Sequence, residues 1–258
     1  MKRMRAGFAV TVAVIALAMA GMSMRAAAVA APLRWDTGTF SILGYDPETG
    51  EVGGAVQSRV FSVGNGVLSA EANVGVVATQ AIVDVSYGPQ ALDLLRKGMA
   101  PAAIVKQIWE NDPDPLPGDW TKQGRQFAVM NAKGEYAAFT GPKAPDWAGN
   151  RSGRYCTAQG NILAGPAVVD NMVAAFEKTT GHLSERLVAA LEAGQAGGGD
   201  KRGQESAALV IVKKNAGVWL HNDVVLRLQV DDSPEPIKEL KRLVDKWNER
   251  RPKPATGQ

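Results

Sequence analysis

The sequence contains very little cysteine and histidine, and this shortage argues against several kinds of site. Cys156 is the one cysteine among 258 residues, so no intramolecular disulfide can form. The two histidines, His182 and His221, do not follow a nucleophile-elbow motif. A Ser-His-Asp triad and a zinc site of clustered Cys and His ligands are therefore disfavoured. We interpret both histidines as surface residues and Cys156 as a residue of the core.

Charge of one sign and phosphate-binding glycine motifs are also scarce. The formal net charge is only +3, and part of it comes from Lys2, Arg3 and Arg5 at the start of the chain. The other charges are mixed rather than arranged in a basic stripe, which argues against a nucleic-acid partner. The sequence has neither a Walker loop nor a strand-linked G-x-G-x-x-G motif. We expect no metal and no organic cofactor.

The first thirty residues have the three parts of a secretory signal peptide. A positive start is followed by an apolar run, Phe8 to Ala20, that is too short for a comfortable membrane span. Ala28-Val29-Ala30 then fits the small-x-small rule for cleavage. We predict a signal peptide over 1–30 and an exported protein, periplasmic or extracellular, with an uncleaved membrane anchor as the alternative.

For the rest of the chain we predict a linker or short propeptide (31–38), one globular domain (39–250) and a disordered tail (251–258). Predicted strands come in hairpins and predicted helices in runs between them, which is typical of an α+β fold with antiparallel sheet. The predicted strands are 39–44, 52–58, 74–81, 126–131, 135–140, 155–161, 207–213 and 224–230. The predicted helices are 91–97, 101–110, 167–179, 183–191 and 234–250, and 194–203 is predicted to be a glycine-rich loop.

Thr39 is the candidate nucleophile, because it begins the first predicted strand directly after Gly38. A threonine hydroxyl is a poor nucleophile until a base lies within hydrogen-bond reach, and a free α-amine on the same residue can be that base. An α-amine has a pKa of about 7.7–8.0, so much of it is neutral near physiological pH. The alternative is that Thr39 is only a β-favouring strand residue.

A series of short motifs along the domain carries a resemblance to a known family. They are TFSI at 39–42, DPETGE at 46–51, AVQSR at 55–59, VATQA at 77–81, YGP at 87–89, AFTG at 138–141, QGNILAG at 159–165, GDKRG at 199–203 and VDD at 230–232. In these motifs the chain resembles the bacterial domain-of-unknown-function family 1028 over about residues 39–245. The resemblance implies an N-terminal-nucleophile (Ntn) hydrolase fold, a four-layer αββα sandwich of two antiparallel sheets. Such a fold implies amide hydrolysis without proving it.

The start of the domain is also similar to that of a proteasome β subunit, in which a Gly-Thr bond is cut autocatalytically and the new N-terminal Thr is the nucleophile. Gly38-Thr39 matches that junction. Gln57-Ser58-Arg59 stands where proteasome subunits have Asp-Ser-Arg, so the acidic member is absent, and no obvious lysine replaces the catalytic one. Signal-peptide cleavage would leave eight residues before Thr39, so this mechanism requires a second cut at Gly38–Thr39.

Polar residues at other predicted strand ends and in the glycine-rich loop complete the expected site. Thr39 and Asn161, the second as an oxyanion donor, are the expected catalytic residues, and the expected substrate-binding residues are Ser58, Arg59, Gln80, Asp200 and Arg202. The structural alternatives are a surface salt bridge for Arg59, a turn cap for Asn161 and a flexible connection for the loop that contains Asp200 and Arg202. We expect an exported amidohydrolase that cleaves a small amide or peptide-like substrate, with a homo-oligomer and an association with the cell envelope left open. The alternative is a non-catalytic exported binding protein on the same scaffold.

Overall fold

The structure is a computed structural model, and it describes residues 38–251. The predicted signal peptide (1–30), residues 31–37 of the predicted linker and residues 252–258 of the predicted tail lie outside the described residues. Within 38–251, no helix combines the length and the apolar character that crossing a membrane requires.

Ten strands and five α-helices form within these residues. The strands are β1 (Thr39–Tyr45), β2 (Val52–Ser58), β3 (Leu68–Glu71), β4 (Gly75–Ala81), β5 (Arg125–Asn131), β6 (Tyr136–Thr140), β7 (Gly149–Gly153), β8 (Cys156–Asn161), β9 (Ser206–Val212) and β10 (Val224–Val230). The helices are α1 (Tyr87–Arg96), α2 (Pro101–Asn111), α3 (Ala167–Lys178), α4 (Leu183–Ala196) and α5 (Pro236–Arg250). Proline begins α2 and α5, where its missing N–H removes no helical hydrogen bond.

The strands form two antiparallel sheets. The first has six strands in the order β10-β9-β2-β1-β8-β7, and the second has four in the order β3-β4-β5-β6. The predicted α+β class with antiparallel sheet is therefore confirmed. β1 is an interior strand of the larger sheet, between β2 and β8, so both of its edges are hydrogen-bonded.

Alternation along the strands separates three apolar cores. In β1, Phe40 and Ile42 belong to a core shared with α3, α4 and α5, whereas Leu43 belongs to a core shared with strands of both sheets. A third core joins α1 and α2 to the second sheet, and in it Phe127 of β5 packs against Tyr87 of α1. The inward face of β1 therefore points at the second sheet, and that face also carries Thr39.

Two strands, β3 and β7, were not predicted, because β3 is too short for its alternation to be distinctive and β7 has no apolar alternation. β3 is four residues long and half-buried, and β7 is a polar edge strand of sequence GNRSG. The predicted loop 194–203 is wrong at its start, because α4 continues to Ala196. Gly194 is tolerated inside that helix since a Cβ there would lie 2.8 Å from Met172 Cγ, so close helix packing requires a glycine.

The prediction of a surface position is wrong for His182. Its side chain is buried, caps the start of α4 by accepting from the Ser184 backbone N–H at 3.1 Å, and lies 2.8 Å from Glu51 Oε2. Histidine is an uncommon cap, so residue preferences alone do not predict this role. His221 is exposed, as predicted, and Cys156 is fully buried in the helix-facing core, as predicted.

Candidate functional site

The inward-facing residues at one end of the two sheets are polar, although the same faces are apolar further along. In β1, Thr39 and Ser41 precede Leu43 on the inward face, and in β8 Gln159 and Asn161 point the same way. All four are at most 5% exposed. Most buried polar groups in proteins are hydrogen-bonded, and the side chains of these four residues belong to one hydrogen-bonded network.

Thr39 lies where three strands meet. It pairs with Ser58 of β2 on one side and with Asn161 of β8 on the other. Its hydroxyl donates a hydrogen bond to Ser58 Oγ at 3.1 Å. The sheet register therefore brings together three of the residues that the sequence predicted for the site.

The carbonyl oxygen of Gly38, the acyl oxygen of the Gly38–Thr39 bond, is held by two side-chain donors. Ser58 Oγ donates one hydrogen bond, and Arg202 Nη2 donates the other at 2.8 Å. Donors on a carbonyl oxygen polarise it and stabilise the negative charge that develops when its carbon is attacked. This arrangement has the form of an oxyanion hole on an internal peptide bond.

Asp200 fixes the position of Arg202. One carboxylate oxygen accepts from the Arg202 backbone N–H at 2.9 Å and from Nε at 3.1 Å, and the other accepts from Nη2 at 2.7 Å. The Asp200 side chain is fully buried, whereas that of Arg202 is 24% exposed. A bidentate pair of this kind restrains the guanidinium plane, so Arg202 is held against the Gly38 carbonyl.

A buried amide network links this site to the second sheet. Gln80 Nε2 donates to Gln126 Oε1 at 2.9 Å and to the Thr39 carbonyl at 3.3 Å, and its Oε1 accepts from Ser41 Oγ at 2.6 Å. Asn161 Nδ2 contacts the same Gln126 Oε1 at 3.1 Å and the Thr39 carbonyl at 3.5 Å. The network thus fixes the backbone of Thr39 from the side opposite Ser58.

Gln126, Ser41 and Gln159 are the network members that the sequence analysis missed. Gln126 Nε2 donates to the Gly160 carbonyl at 2.8 Å, and Gln159 Nε2 donates to Ser41 Oγ at 2.6 Å. The available signal was a polar residue at an inward position of a buried strand, which β5 and β8 both contain. Gln126 shares Oε1 between two donors and is therefore the centre of the network.

Arg59 is the predicted site residue that lies apart from Thr39. Its guanidinium pairs with Glu205 Oε2 at 2.7 Å, and its side chain is 47% exposed. The structure brings Thr39, Ser58, Gln80, Asn161, Asp200 and Arg202 into one connected set. The Thr39 side chain has no lysine and no carboxylate among its hydrogen-bond partners within residues 38–251. In the same range, no group of three metal-binding side chains forms a site.

The model of a family of unknown function, DUF1028, matches residues 39–240. A crystal structure of a Silicibacter pomeroyi protein of that family is 32% identical and has a TM-score of 0.72, covering 81% of this chain and 86% of that one. The ancestral β-subunit Anbu from Yersinia bercovieri is 9% identical with a TM-score of 0.36, covering 85% of this chain and 100% of that one. No curated protein matches the chain.

Proposed function

Because the chain belongs to the family of unknown function DUF1028, we propose its function from its own site: an exported Ntn-type amidohydrolase. It cuts its own Gly38–Thr39 bond and then cleaves a small amide or peptide-like substrate. The packing of helices outside two facing sheets supports the four-layer αββα arrangement of an Ntn hydrolase. The N-terminal sequence supports export.

The observation that carries the proposal is the pair of donors on the Gly38 carbonyl. The Gly38 carbonyl lies just before the first residue of β1, at the end of the ladders that pair β1 with β2 and β8. Here Ser58 and Arg202 bind that oxygen through their side chains, and Asp200 holds Arg202 in place. Removing one such donor from an oxyanion hole costs about 10²–10³ in rate, so two fixed donors have a large effect on the reactivity of this bond.

Ser58 also supplies a route for the proton in self-cleavage. Thr39 Oγ1 donates to Ser58 Oγ, and Ser58 Oγ donates to the Gly38 oxygen. As Thr39 Oγ1 bonds to the Gly38 carbonyl carbon, its proton passes to Ser58, and the Ser58 proton passes to the Gly38 oxygen. The C–N bond then breaks and a proton returns to the Thr39 nitrogen, which leaves an ester on Thr39 and a free amine. Water hydrolyses the ester and releases the segment that ends at Gly38.

In turnover, the freed Thr39 amine takes the hydroxyl proton as Oγ1 attacks the acyl carbon of the substrate. Loss of the Gly38 segment leaves Ser58 Oγ and Arg202 Nη2 free to bind the acyl oxygen of a substrate. Gln80 and Asn161 hold the Thr39 backbone so that its hydroxyl keeps its direction. We keep a homo-oligomer and an association with the cell envelope as open parts of the proposal.

One observation favours the alternative, a non-catalytic exported binding protein. The groups that contact Thr39 are a serine and neutral amides, without the acidic and lysine partners of a proteasome subunit. On that alternative the Gly38–Thr39 bond stays intact, and the polar end of the interior is only a binding or structural network.

The test is a time course of self-cleavage on the purified precursor, followed by intact mass. We expect wild type to lose the segment that ends at Gly38, Thr39→Ser to do so as well, and Thr39→Ala to remain whole. Thr157→Ala is the matched control, because this buried threonine of β8 contacts Ser152 instead of Gly38 or the amide network, and we expect it to be cleaved. Cleavage of Thr39→Ala at the wild-type rate would show that another protease makes the cut.

A further inference from the structure

The α-carbon of Gly38 lies against the guanidinium group of Arg202. The φ angle of Gly38 is +152°, a region that L residues with a side chain rarely adopt. A Cβ added there in the L configuration would lie 2.5 Å from Arg202 Cζ and 2.7 Å from Nε. Both distances are far below van der Waals contact, so no L side chain fits at this position while Arg202 stays in place.

Arg202 is not free to move away from such a side chain. Its backbone N–H, Nε and Nη2 all donate to the buried Asp200 carboxylate. Displacing the guanidinium would leave that carboxylate buried without its charged partner, which is costly. Arg202 therefore acts as a fixed wall beside the carbon that precedes the acyl carbonyl.

Self-cleavage and turnover share one intermediate, an acyl ester on Thr39 Oγ1. In self-cleavage the acyl group is the glycyl end of the released segment, and in turnover it is the acyl part of the substrate. The ester is hydrolysed beside the same Ser58 and Arg202 donors in both reactions. The wall that faces the Gly38 α-carbon therefore faces the corresponding carbon of a substrate.

The sign of φ at Gly38 adds a stereochemical expectation. An angle of +152° is the mirror image of a φ of −152°, which lies in the extended range of L residues, so a D residue adopts this φ without strain. On a D residue the side chain takes the place of the other α-hydrogen, on the side away from the L Cβ position. A D substituent therefore does not meet the Arg202 atoms that an L Cβ would meet.

We propose that the acyl subsite beside Thr39 accepts glycyl and D-aminoacyl groups and rejects L-aminoacyl groups, with Arg202 as the specificity-determining residue. The inference rests on the proposed function, since it requires Thr39 to be the nucleophile. It names the substrate class as amides whose acyl part is glycine or a D-amino acid. Arg202 Nη1, a buried donor without a partner within residues 38–251, gives such an acyl group a further hydrogen bond.

The test uses the chain with Thr39 at its N-terminus and three matched probes, the p-nitrophenyl esters of N-methoxycarbonyl glycine, D-alanine and L-alanine. Thr39 Oγ1 bonds to the acyl carbon, the Thr39 amine takes the hydroxyl proton, and p-nitrophenol leaves with that proton. Water then hydrolyses the new ester and restores Thr39. The D and L esters are enantiomers with identical intrinsic reactivity, so any difference in their rates comes from the protein.

We expect the glycyl and D-alanyl esters to be hydrolysed faster than the L-alanyl ester by about 100-fold, the scale of discrimination that one misfitting carbon produces. The hydrolysis rate of each ester with the Thr39→Ala chain is subtracted as the background. Arg202→Ala should bring the D-to-L ratio toward one, because it removes the wall. Arg151→Ala should keep the wild-type ratio, since Arg151 is an exposed arginine that pairs with Asp170 instead.

Two results would overturn the inference in distinguishable ways. If the L-alanyl ester is hydrolysed as fast as the D-alanyl ester, the subsite assignment is wrong while the proposed function stands. If none of the three esters reacts faster with wild type than with Thr39→Ala, the proposed function is wrong and the inference falls with it.

Discussion

At the residue scale, the bond between Gly38 and Thr39 is held on both sides by groups from other strands and loops. Ser58 and Arg202 bind the carbonyl, and Gln80 and Asn161 bind the backbone beyond the bond. All six residues are predicted from the sequence, five of them from the start or end of a strand and Arg202 from the glycine-rich loop. The sequence could not show that Ser58 and Arg202 meet on one oxygen, because they are 144 positions apart and only the sheet register brings them together.

The two donors on the Gly38 oxygen lead to a prediction about the rate of self-cleavage. Ser58→Ala and Arg202→Ala should each slow self-cleavage by about 10²-fold or more, because each removes one stabilising hydrogen bond from the developing oxyanion. The measurement is the half-life of the precursor by intact mass. Arg59→Ala is the control for the loss of a positive charge as such, since Arg59 pairs with Glu205 and does not touch Gly38. Equal half-lives for all three variants would contradict the oxyanion role.

Cys156 allows a check of the helix-facing core. Burial, together with the nearby Glu177 carboxylate, raises the pKa of the Cys156 thiol to about 12, so the reactive thiolate is scarce at neutral pH. We predict that a thiol reagent such as Ellman's reagent modifies the folded protein much more slowly than the denatured protein, which should yield one thiol per chain. Rapid labelling of the folded protein would show that β8 is accessible from the helix side.

At the element scale, a buried ion pair fixes the long connection that follows α2. The Asp112 carboxylate accepts from Tyr87 Oη at 2.5 Å, from Arg125 Nε at 3.2 Å and from the Asp114 backbone N–H at 2.7 Å. Burial acts to raise the pKa of Asp112, but these hydrogen bonds and the Arg125 charge outweigh it and hold the pKa below its usual range. The carboxylate therefore ties α1, α2 and β5 together.

Asp112→Asn should destabilise the fold by about 3–5 kcal/mol at pH 7, because Arg125 is left buried without its partner charge. A carboxyl whose pKa is lowered by folding stabilises the native state above its unfolded pKa of about 3.9 and loses that contribution as the pH falls toward its folded pKa. The stability difference between wild type and variant, from urea unfolding, should therefore shrink below about pH 4. A difference that grows as the pH falls would contradict this account.

The last helix, α5, illustrates what periodicity alone predicts well. Apolar residues at helical spacing predicted an apolar face, and Ile237, Leu240 and Val244 are buried against the first sheet and α4. Leu240→Ala should lower the free energy of unfolding by about 2–5 kcal/mol, whereas Lys241→Ala, at its half-exposed neighbour, should cost less than about 1 kcal/mol. Urea unfolding of the two variants measures both values, and equal losses would show that α5 is not packed as described.

At the scale of the whole molecule, local sequence signals gave the class of fold but not the pairing of its sheets. The antiparallel α+β class followed from hairpins and helical runs. The edge strands were not predicted, because β3 is only four residues long and β7 lacks an apolar pattern. Gln126 was missed because its role depends on the packing of the two sheets: it pairs with Gln80 of the same sheet and contacts Asn161 of the other. Long-range pairing, and not composition, builds the site.

The central claim concerns one bond, and the N-terminus of the protein recovered from the periplasm or the medium tests it most directly. Intact mass and N-terminal sequencing identify the first residue of that chain. The account predicts a chain that begins at Thr39 in wild type and retains the preceding residues in Thr39→Ala. A folded wild-type chain that begins at Ala31, with Gly38–Thr39 intact, would contradict it.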